Sequence, residues 1–215
     1  MSKKTTKNQR RKPVQARAKA KYAAILAAAP RVLAAKGYQG ATTEEIALEA
    51  DVSIGTLYEY FRNKDAVFAA YLKQQLQQVM EEMATEVQLR LQQSPERIIE
   101  QLVQLGVSFI FRRQQQFSVL MREIPGLWEI HVVQKLEARI LAWAELIFLQ
   151  QQLKIDKPEF KQVVNMLTHT VVGLYMRMTL VGPEGMSEQT VAREILFLLT
   201  GYIERRTGIR LALPS

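Results

Sequence analysis

The sequence predicts an all-α protein of about nine helices, three small ones followed by a larger helical bundle. Two observations carry this. Apolar residues recur at i, i+3, i+4 and i+7 over long stretches, and no convincing run of alternating apolar and polar residues marks a strand. Turn residues also punctuate the chain at Gly37, Pro95, Pro125-Gly126, Pro158 and Gly182-Pro183-Glu184-Gly185. With 215 residues, 48% of them apolar, the chain is long enough to bury a core without disulfide or metal staples.

Residues 1–16 hold Pro13, many charges and few large apolar groups, and read as a disordered basic arm. Helical periodicity begins near Arg17 and places Tyr22, Ile25, Leu26, Ala29, Val32 and Leu33 on one face. Gly37 is a natural stop. Pro30 lies inside that helix, removes a backbone donor and predicts a local bend. Two short helices follow. Thr42-x-x-Glu45 fits a capping box, with Thr43 as the alternative cap. Asp51 sits at the turn, where an aspartate tolerates the left-handed conformation better than most residues. The second short helix runs over about 53–60.

Asn63 caps a long helix over about 64–91, with Val67, Phe68, Tyr71, Leu72, Leu76, Val79, Met80, Met83, Val87 and Leu91 inward. Ser94-Pro95-Glu96 starts the next, with a cap followed by proline at the first position. A separate shorter piece is expected around 114–122. Further helices are expected over about 127–153, from Pro158 to about Leu180, and from a Ser187 cap to Gly208.

Charge is placed unevenly. Residues 1–43 contain eleven Lys and Arg and no acid, whereas the remainder carries a net charge of −3. A basic end on a near-neutral body points to a polyanionic partner. The same composition suits a solvated leader or a transit peptide, but here the amphipathic stretch runs straight into a folded unit. The chain has no cysteine, which excludes disulfides, Cys-based zinc sites and a cysteine nucleophile, and suits the cytoplasm. No apolar run approaches the ~18 residues that span a bilayer. The two histidines lie far apart, Glu44-Glu45 and Glu81-Glu82 read as solvated faces, and no Gly-rich phosphate loop is present. Neither an enzyme, a metal site nor a cofactor is expected.

The segment from Ala41 to Lys64 combines three features of a helix-turn-helix. Ala47 is the small residue where two helices cross. Ile46, Ala50, Val52, Leu57 and Phe61 can lock the crossing angle. Ser53, Ile54, Gly55, Thr56, Tyr58 and Tyr60 remain for grooves and phosphates. An ordinary αα-hairpin lacks this coincidence of locking set, outer set and basic start.

Ala41-Thr42-Thr43-Glu44-Glu45-Ile46-Ala47 and Ala50 through Lys64 resemble the N-terminal signature of TetR-family regulators, with Ile25-Leu26-Ala27-Ala28-Ala29 and Lys36-Gly37-Tyr38 at the family's spacing. The resemblance covers about residues 17–72, and only Pro30 departs from it. It implies a DNA-binding domain over 17–63 and a ligand-binding and dimerisation domain over 64–215. It implies a repressor, released from a pseudo-palindromic operator by a small effector. Thr43, Thr56, Tyr58, Tyr60 and Lys64 are then backbone contacts, with Thr42 and Ser53 at the helix starts, where free N–H groups favour phosphate. For the two tyrosines, core packing is the competing role. Base reading falls to Ile54, Gly55 and Thr56, with Ile54 either on a thymine methyl or against sugars. Arg17 and the arm lie near DNA, where such arms enter minor grooves.

The same resemblance implies a homodimer through the last two long helices. Val163, Leu167, Val171, Leu174 and Met178 recur along one, and Val191, Ile195, Leu198, Leu199 and Tyr202 along the other, with Gly173 and Gly201 allowing close approach. An ordinary intramolecular core fits the same periodicity. Candidate effector contacts are Phe109, Phe117, Met121, Trp128, His131, Trp143, His169, Tyr175 and Met176. A histidine in an apolar surround is more often a satisfied core group than a ligand contact, and that reading competes at His131 and His169. Apolar walls suggest a hydrophobic or aromatic effector, anionic if Arg112, Arg113, Arg122 or Arg177 turns inward. The helix from Lys64 is the expected lever between effector and DNA, by thermodynamic linkage. A helical hydrophobe carrier and a non-specific DNA binder are the competing functions.

Overall fold

The computed structural model describes residues 11–124, 130–151 and 155–211, with side chains over 16–124, 135–150 and 155–211. Helix α1 (Arg11–Gly40) begins earlier than the apolar periodicity does. The expected arm therefore loses residues 11–16 to a helix. Pro13 does not prevent this, because it falls in the first turn, where backbone donors have no intrahelical partner anyway. Residues 1–10 of the arm lie outside the described residues. Helical dihedrals continue through Pro30, and the helix instead departs from them at Gly37 (φ 67°, ψ 176°), where an L side chain is disfavoured.

Helices α2 (Thr43–Glu49) and α3 (Ile54–Tyr60) are each opened by a hydroxyl cap. Thr42 Oγ1 accepts from the Glu45 amide at 3.2 Å, and Ser53 Oγ from the Thr56 amide at 3.1 Å. Each such cap contributes about 1 kcal/mol. Asp51 takes the left-handed conformation at the turn (φ 53°), and the Val52 amide reaches back to the Ala47 carbonyl at 3.0 Å. Asn63 Oδ1 caps α4 (Lys64–Arg90) by accepting from the Ala66 amide at 2.9 Å.

The described residues pack as two units that divide between Gln74 and Gln75, inside α4, rather than at its start. The first turns of α4 belong to unit 1. Val67, Phe68, Tyr71 and Leu72 are buried, and Phe68 lies 5.8 Å from the Tyr38 ring of α1. Ile25, Leu26, Ile46, Leu57 and Phe61 complete that core.

Unit 2 contains the rest of α4 and four further helices: α5 (Pro95–Glu123), α6 (Ile130–Gln151), α7 (Lys157–Val181) and α8 (Glu188–Thr207). Among the described residues there are thus eight helices rather than about nine. The expected separate piece over 114–122 is the continuation of α5. Nothing in Arg112-Arg113-Gln114-Gln115-Gln116 breaks a helix, and buried Ile110, Phe117 and Leu120 carry one apolar face across it. Pro95 occupies the first turn of α5, although Ser94 makes no side-chain cap bond. Ser187 caps α8 through the Thr190 amide (3.1 Å), and Gly208 ends it in the left-handed conformation (φ 68°). Helix α5 packs on α7 and α8, and α6 packs on α7. Val87, Ile98 and Ile147 form a core cluster with Leu91, Leu102 and Trp143 against it. No described helix is long and apolar enough to cross a membrane.

Candidate nucleic-acid interface and effector cavity

The crossing of α2 and α3 is locked from inside. Ile46, Ala47, Ala50, Leu57 and Phe61 are buried, and Val52 is half-buried. That packing leaves Ser53, Ile54, Gly55 and Tyr58 exposed on the start and outer side of α3, with Thr42 exposed at the start of α2. A Cβ at Gly55 would meet only Ser53 Oγ, at 3.9 Å, so nothing inside the fold demands glycine there.

The other expected contact residues are tied into the fold. Thr43 and Thr56 are buried. Thr43 Oγ1 lies 3.1 Å from the Tyr58 hydroxyl, and the Thr56 hydroxyl accepts from Ser53 Oγ at 3.0 Å. Tyr60 is half-buried, donates to the Ala18 carbonyl at 3.3 Å, and stands edge-on to Tyr22 at 5.9 Å. Lys64 donates to the Tyr38 carbonyl at 2.7 Å and lies over the Tyr38 ring. These four side chains therefore shape unit 1 as well as flank its surface.

Charge is sorted around this unit. Arg31 pairs with Glu49, and Lys36 Nζ lies 2.9 Å from the Glu45 carboxylate. The Lys36 hydrogen bond, joined by the Thr42 amide, holds the Glu45 carboxyl below the usual carboxylate range. Arg17, Lys19 and Lys21 are exposed and make no ion pair among the described residues. The sequence did not announce the two pairs, because their partners are far apart in the chain.

Unit 2 encloses a cavity of about 300 Å³. Five expected effector contacts line it: Phe109, Phe117, Trp143, Tyr175 and Met176. Met121 and His169 do not. Met121 is half-buried off the lining, and His169 is exposed with Nε2 3.5 Å from the Glu137 carboxylate. Trp128 and the side chain of His131 lie outside the described residues. Among the described residues no charged side chain lines the cavity. The arginines expected as inward anchors are engaged elsewhere or exposed. Arg113 donates to Gln75 Oε1 (2.7 Å) and lies over the Phe109 ring; Arg122 donates to the Leu180 carbonyl (2.6 Å); Arg177 pairs with Glu184 (3.0 Å); Arg112 is exposed.

The polar groups of the described lining are the Trp143 indole N–H and four hydroxyls: Thr168, Tyr175, Thr179 and Thr207. Burial raises the Tyr175 phenol well above its ordinary range, so it stays a neutral donor, and it donates to the Val103 carbonyl at 3.3 Å. Its ring tip fills the notch left by Gly106, where a Cβ would sit 2.5 Å from the phenolic oxygen. Sequence reading missed Thr168 and the lining Ile209 and Leu211 beyond α8, since periodicity does not separate core from cavity wall. Among the described residues no group of acids and histidines could hold a metal ion.

The stripes expected to face a partner copy need correction. Val163, Met178, Val191, Ile195 and Leu199 are buried within unit 2, because α7 and α8 must first pack on α5. The large apolar groups left exposed are Met166 and the terminal Val181 on α7 and Phe197 and Leu198 on α8. Nothing lies within 4 Å of a Cβ built at Gly173 or Gly201.

Residues 25–71, which span the end of α1, both short helices and the start of α4, match the model of the tetR family of bacterial regulatory proteins. Unit 1 is a TetR-family domain. The fatty acid metabolism regulator protein of Bacillus subtilis is 36% identical over 67 residues, 31% of this chain and 34% of that protein. The chain thus spans about a third of the length of this curated relative. Solved structures extend the likeness in fold beyond the TetR domain. A TetR-family regulator candidate from Mesorhizobium loti superposes with a TM-score of 0.66 at 18% identity, covering 89% of this chain and 98% of that one. FadR of Thermus thermophilus, a TetR-family repressor in complex with lauroyl-CoA, gives 0.57 at 22%, covering 90% and 98%.

Proposed function

We propose that the protein is a transcriptional regulator that works by binding rather than catalysis. A homodimer holds operator DNA through its two TetR domains and releases it when an apolar effector enters the cavity of unit 2. The observation that carries this reading is the family match over residues 25–71 on a unit whose α3 leaves Ser53, Ile54, Gly55 and Tyr58 exposed. The exposed contacts Arg17, Thr42, Ser53 and Tyr58 take phosphates, and Ile54 and Gly55 meet base edges. Thr43 orients Tyr58, and Thr56, Tyr60 and Lys64 brace the edge of this surface.

One copy of the motif reads too few base pairs to be selective, and two on a two-fold axis read half-sites about 34–36 Å apart. The exposed Met166, Phe197 and Leu198, with the open glycines Gly173 and Gly201, supply an interface for the second copy. The uncharged lining selects an apolar occupant. A fatty acyl compound is the first to test, because the Thermus relative of like fold holds one. The protein then works in the cytoplasm as a repressor.

The decisive measurement titrates the full chain against the DNA upstream of its own coding region and against a scrambled duplex at 50 and 200 mM salt, with and without lauroyl-CoA. A regulator keeps a large preference for its own DNA at the higher salt and loses it with the effector. Equal affinity for both duplexes at both salts overturns the reading.

A further inference from the structure

A threonine inside an α-helix ordinarily turns its hydroxyl back to the carbonyl one turn earlier. In unit 2, Thr85, Thr170, Thr179, Thr200 and Thr207 do so at 2.8–2.9 Å. Thr168, in the middle of α7, does not. It is only 5% exposed and it lines the cavity, yet its hydroxyl has no hydrogen-bonding partner among the described residues. Its oxygen is not among the fully buried unpaired atoms, so on the cavity wall it stays open to a partner from outside the chain.

The other hydroxyls on the lining are already engaged. The Tyr175 phenol donates to the Val103 carbonyl, the Thr179 hydroxyl to its own helix, and Thr207 both donates to Ile203 and accepts from the Ile209 amide. With no charged side chain among the described lining residues, an ionised group has no counter-charge inside, so the cavity takes the acyl part of a compound such as an acyl-CoA and its phosphates stay outside. Thr168 is then the free hydroxyl of the lining, beside the half-buried Trp143 whose indole N–H is also a donor, and both suit a neutral acceptor.

We propose that Thr168 is the polar anchor of the cavity, donating its hydroxyl proton to the carbonyl oxygen of a ketone, ester or thioester carried by an otherwise apolar effector. This rests on reading the cavity as the effector site. It adds a second requirement to apolarity, a single neutral acceptor at a fixed depth.

The test uses two probes with equal numbers of heavy atoms, 2-undecanone and 1-dodecene, displacing the neutral dye N-phenyl-1-naphthylamine from the full chain. The alkene leaves water more readily whatever the anchor does, so the readout is how each probe changes on substitution. In Thr168→Val the ketone weakens about three- to tenfold, the span of one neutral hydrogen bond, and the alkene is unchanged. Thr168→Ser keeps the ketone affinity. The anchor is overturned if Thr168→Val shifts both probes alike or neither, or if Thr168→Ser loses as much as Thr168→Val. If neither probe nor dye binds the wild type, the cavity reading itself falls and the anchor with it. Binding without a ketone-specific loss in Thr168→Val sinks the anchor alone.

Discussion

Tyr58 of α3 and Thr43 of α2 meet through their hydroxyl oxygens, 3.1 Å apart, and so fix the direction in which an exposed phenol leaves the helix. A phosphate contact from Tyr58 then has its geometry set before DNA arrives. Tyr58→Phe is expected to weaken binding about tenfold, as loss of a hydrogen bond to a charged group does, and equally for operator and scrambled duplex. Thr43→Val should give a smaller loss of the same kind, because it frees the phenol without removing it. Fluorescence anisotropy on both duplexes checks this, and a loss confined to the operator would mean that Tyr58 reads bases.

The unpaired Arg17, Lys19 and Lys21 leave α1 with an exposed basic stretch. Replacing all three by glutamine should reduce the slope of log affinity against log salt by about 2 to 3, at ~0.9 per phosphate contact. An unchanged slope would remove α1 from the DNA surface.

Glu45 supplies a pH dependence whose sign follows from its lowered pKa. The folded state holds the carboxylate ionised more strongly than the unfolded chain does. The resulting stability is present above the ordinary carboxylate range and is lost as pH falls through the lowered folded value. Glu45→Gln should therefore lower the melting temperature slightly at pH 7, and the difference should shrink as pH falls through the acidic range. Because the pair with Lys36 is exposed, 0.5 M salt should shrink the difference further. A gap that does not shrink with falling pH would point to packing instead.

At Gly106 the available room is already taken by Tyr175. Gly106→Ala gains about 1 kcal/mol of helix propensity but forces the ring tip out of its notch, an overpacking that costs about 1–3 kcal/mol. Net destabilisation by about 1 kcal/mol is expected in urea unfolding, with a loss of dye binding in the cavity. A variant more stable than the wild type would show that the ring moves aside freely.

Phe197 and Leu198 are exposed on α8 and carry little of the fold of unit 2. Phe197→Glu is expected to leave the circular dichroism and melting of the chain nearly unchanged. In sedimentation it should shift the proposed dimer to monomer, and it should weaken operator binding more than tenfold, because two half-sites are no longer bound together. A variant that stays dimeric would move the interface elsewhere.

Local chemistry made unit 1 legible. Thr42, Ser53 and Asn63 act as caps, and Asp51 takes the left-handed turn, because each depends on neighbours within a few residues. The small crossing residue Ala47 and its locking set were equally plain. Unit 2 was legible as helices but not as partners. A stripe of valines and leucines fits a core, a cavity wall or a second copy alike. Val191 and Ile195 therefore proved internal, whereas the exposed Phe197 and Met166 lay off the stripes. Arg112 through Gln116 concealed the continuity of α5 because polar residues on an exposed face resemble a loop. His169 shows the complementary failure: a lone histidine among apolar residues turned outward to Glu137, a carboxylate from another helix.

The uncharged lining of the cavity has a consequence for how its occupant is measured out. A molecule that prefers such walls to water prefers hydrocarbon as well, so the protein competes with every lipid and oil phase present. What sets occupancy is then the concentration left in water after partitioning, not the total amount of compound. Titrations run with vesicles or detergent should yield apparent affinities that fall in proportion to the apolar phase added, while the intrinsic affinity stays fixed.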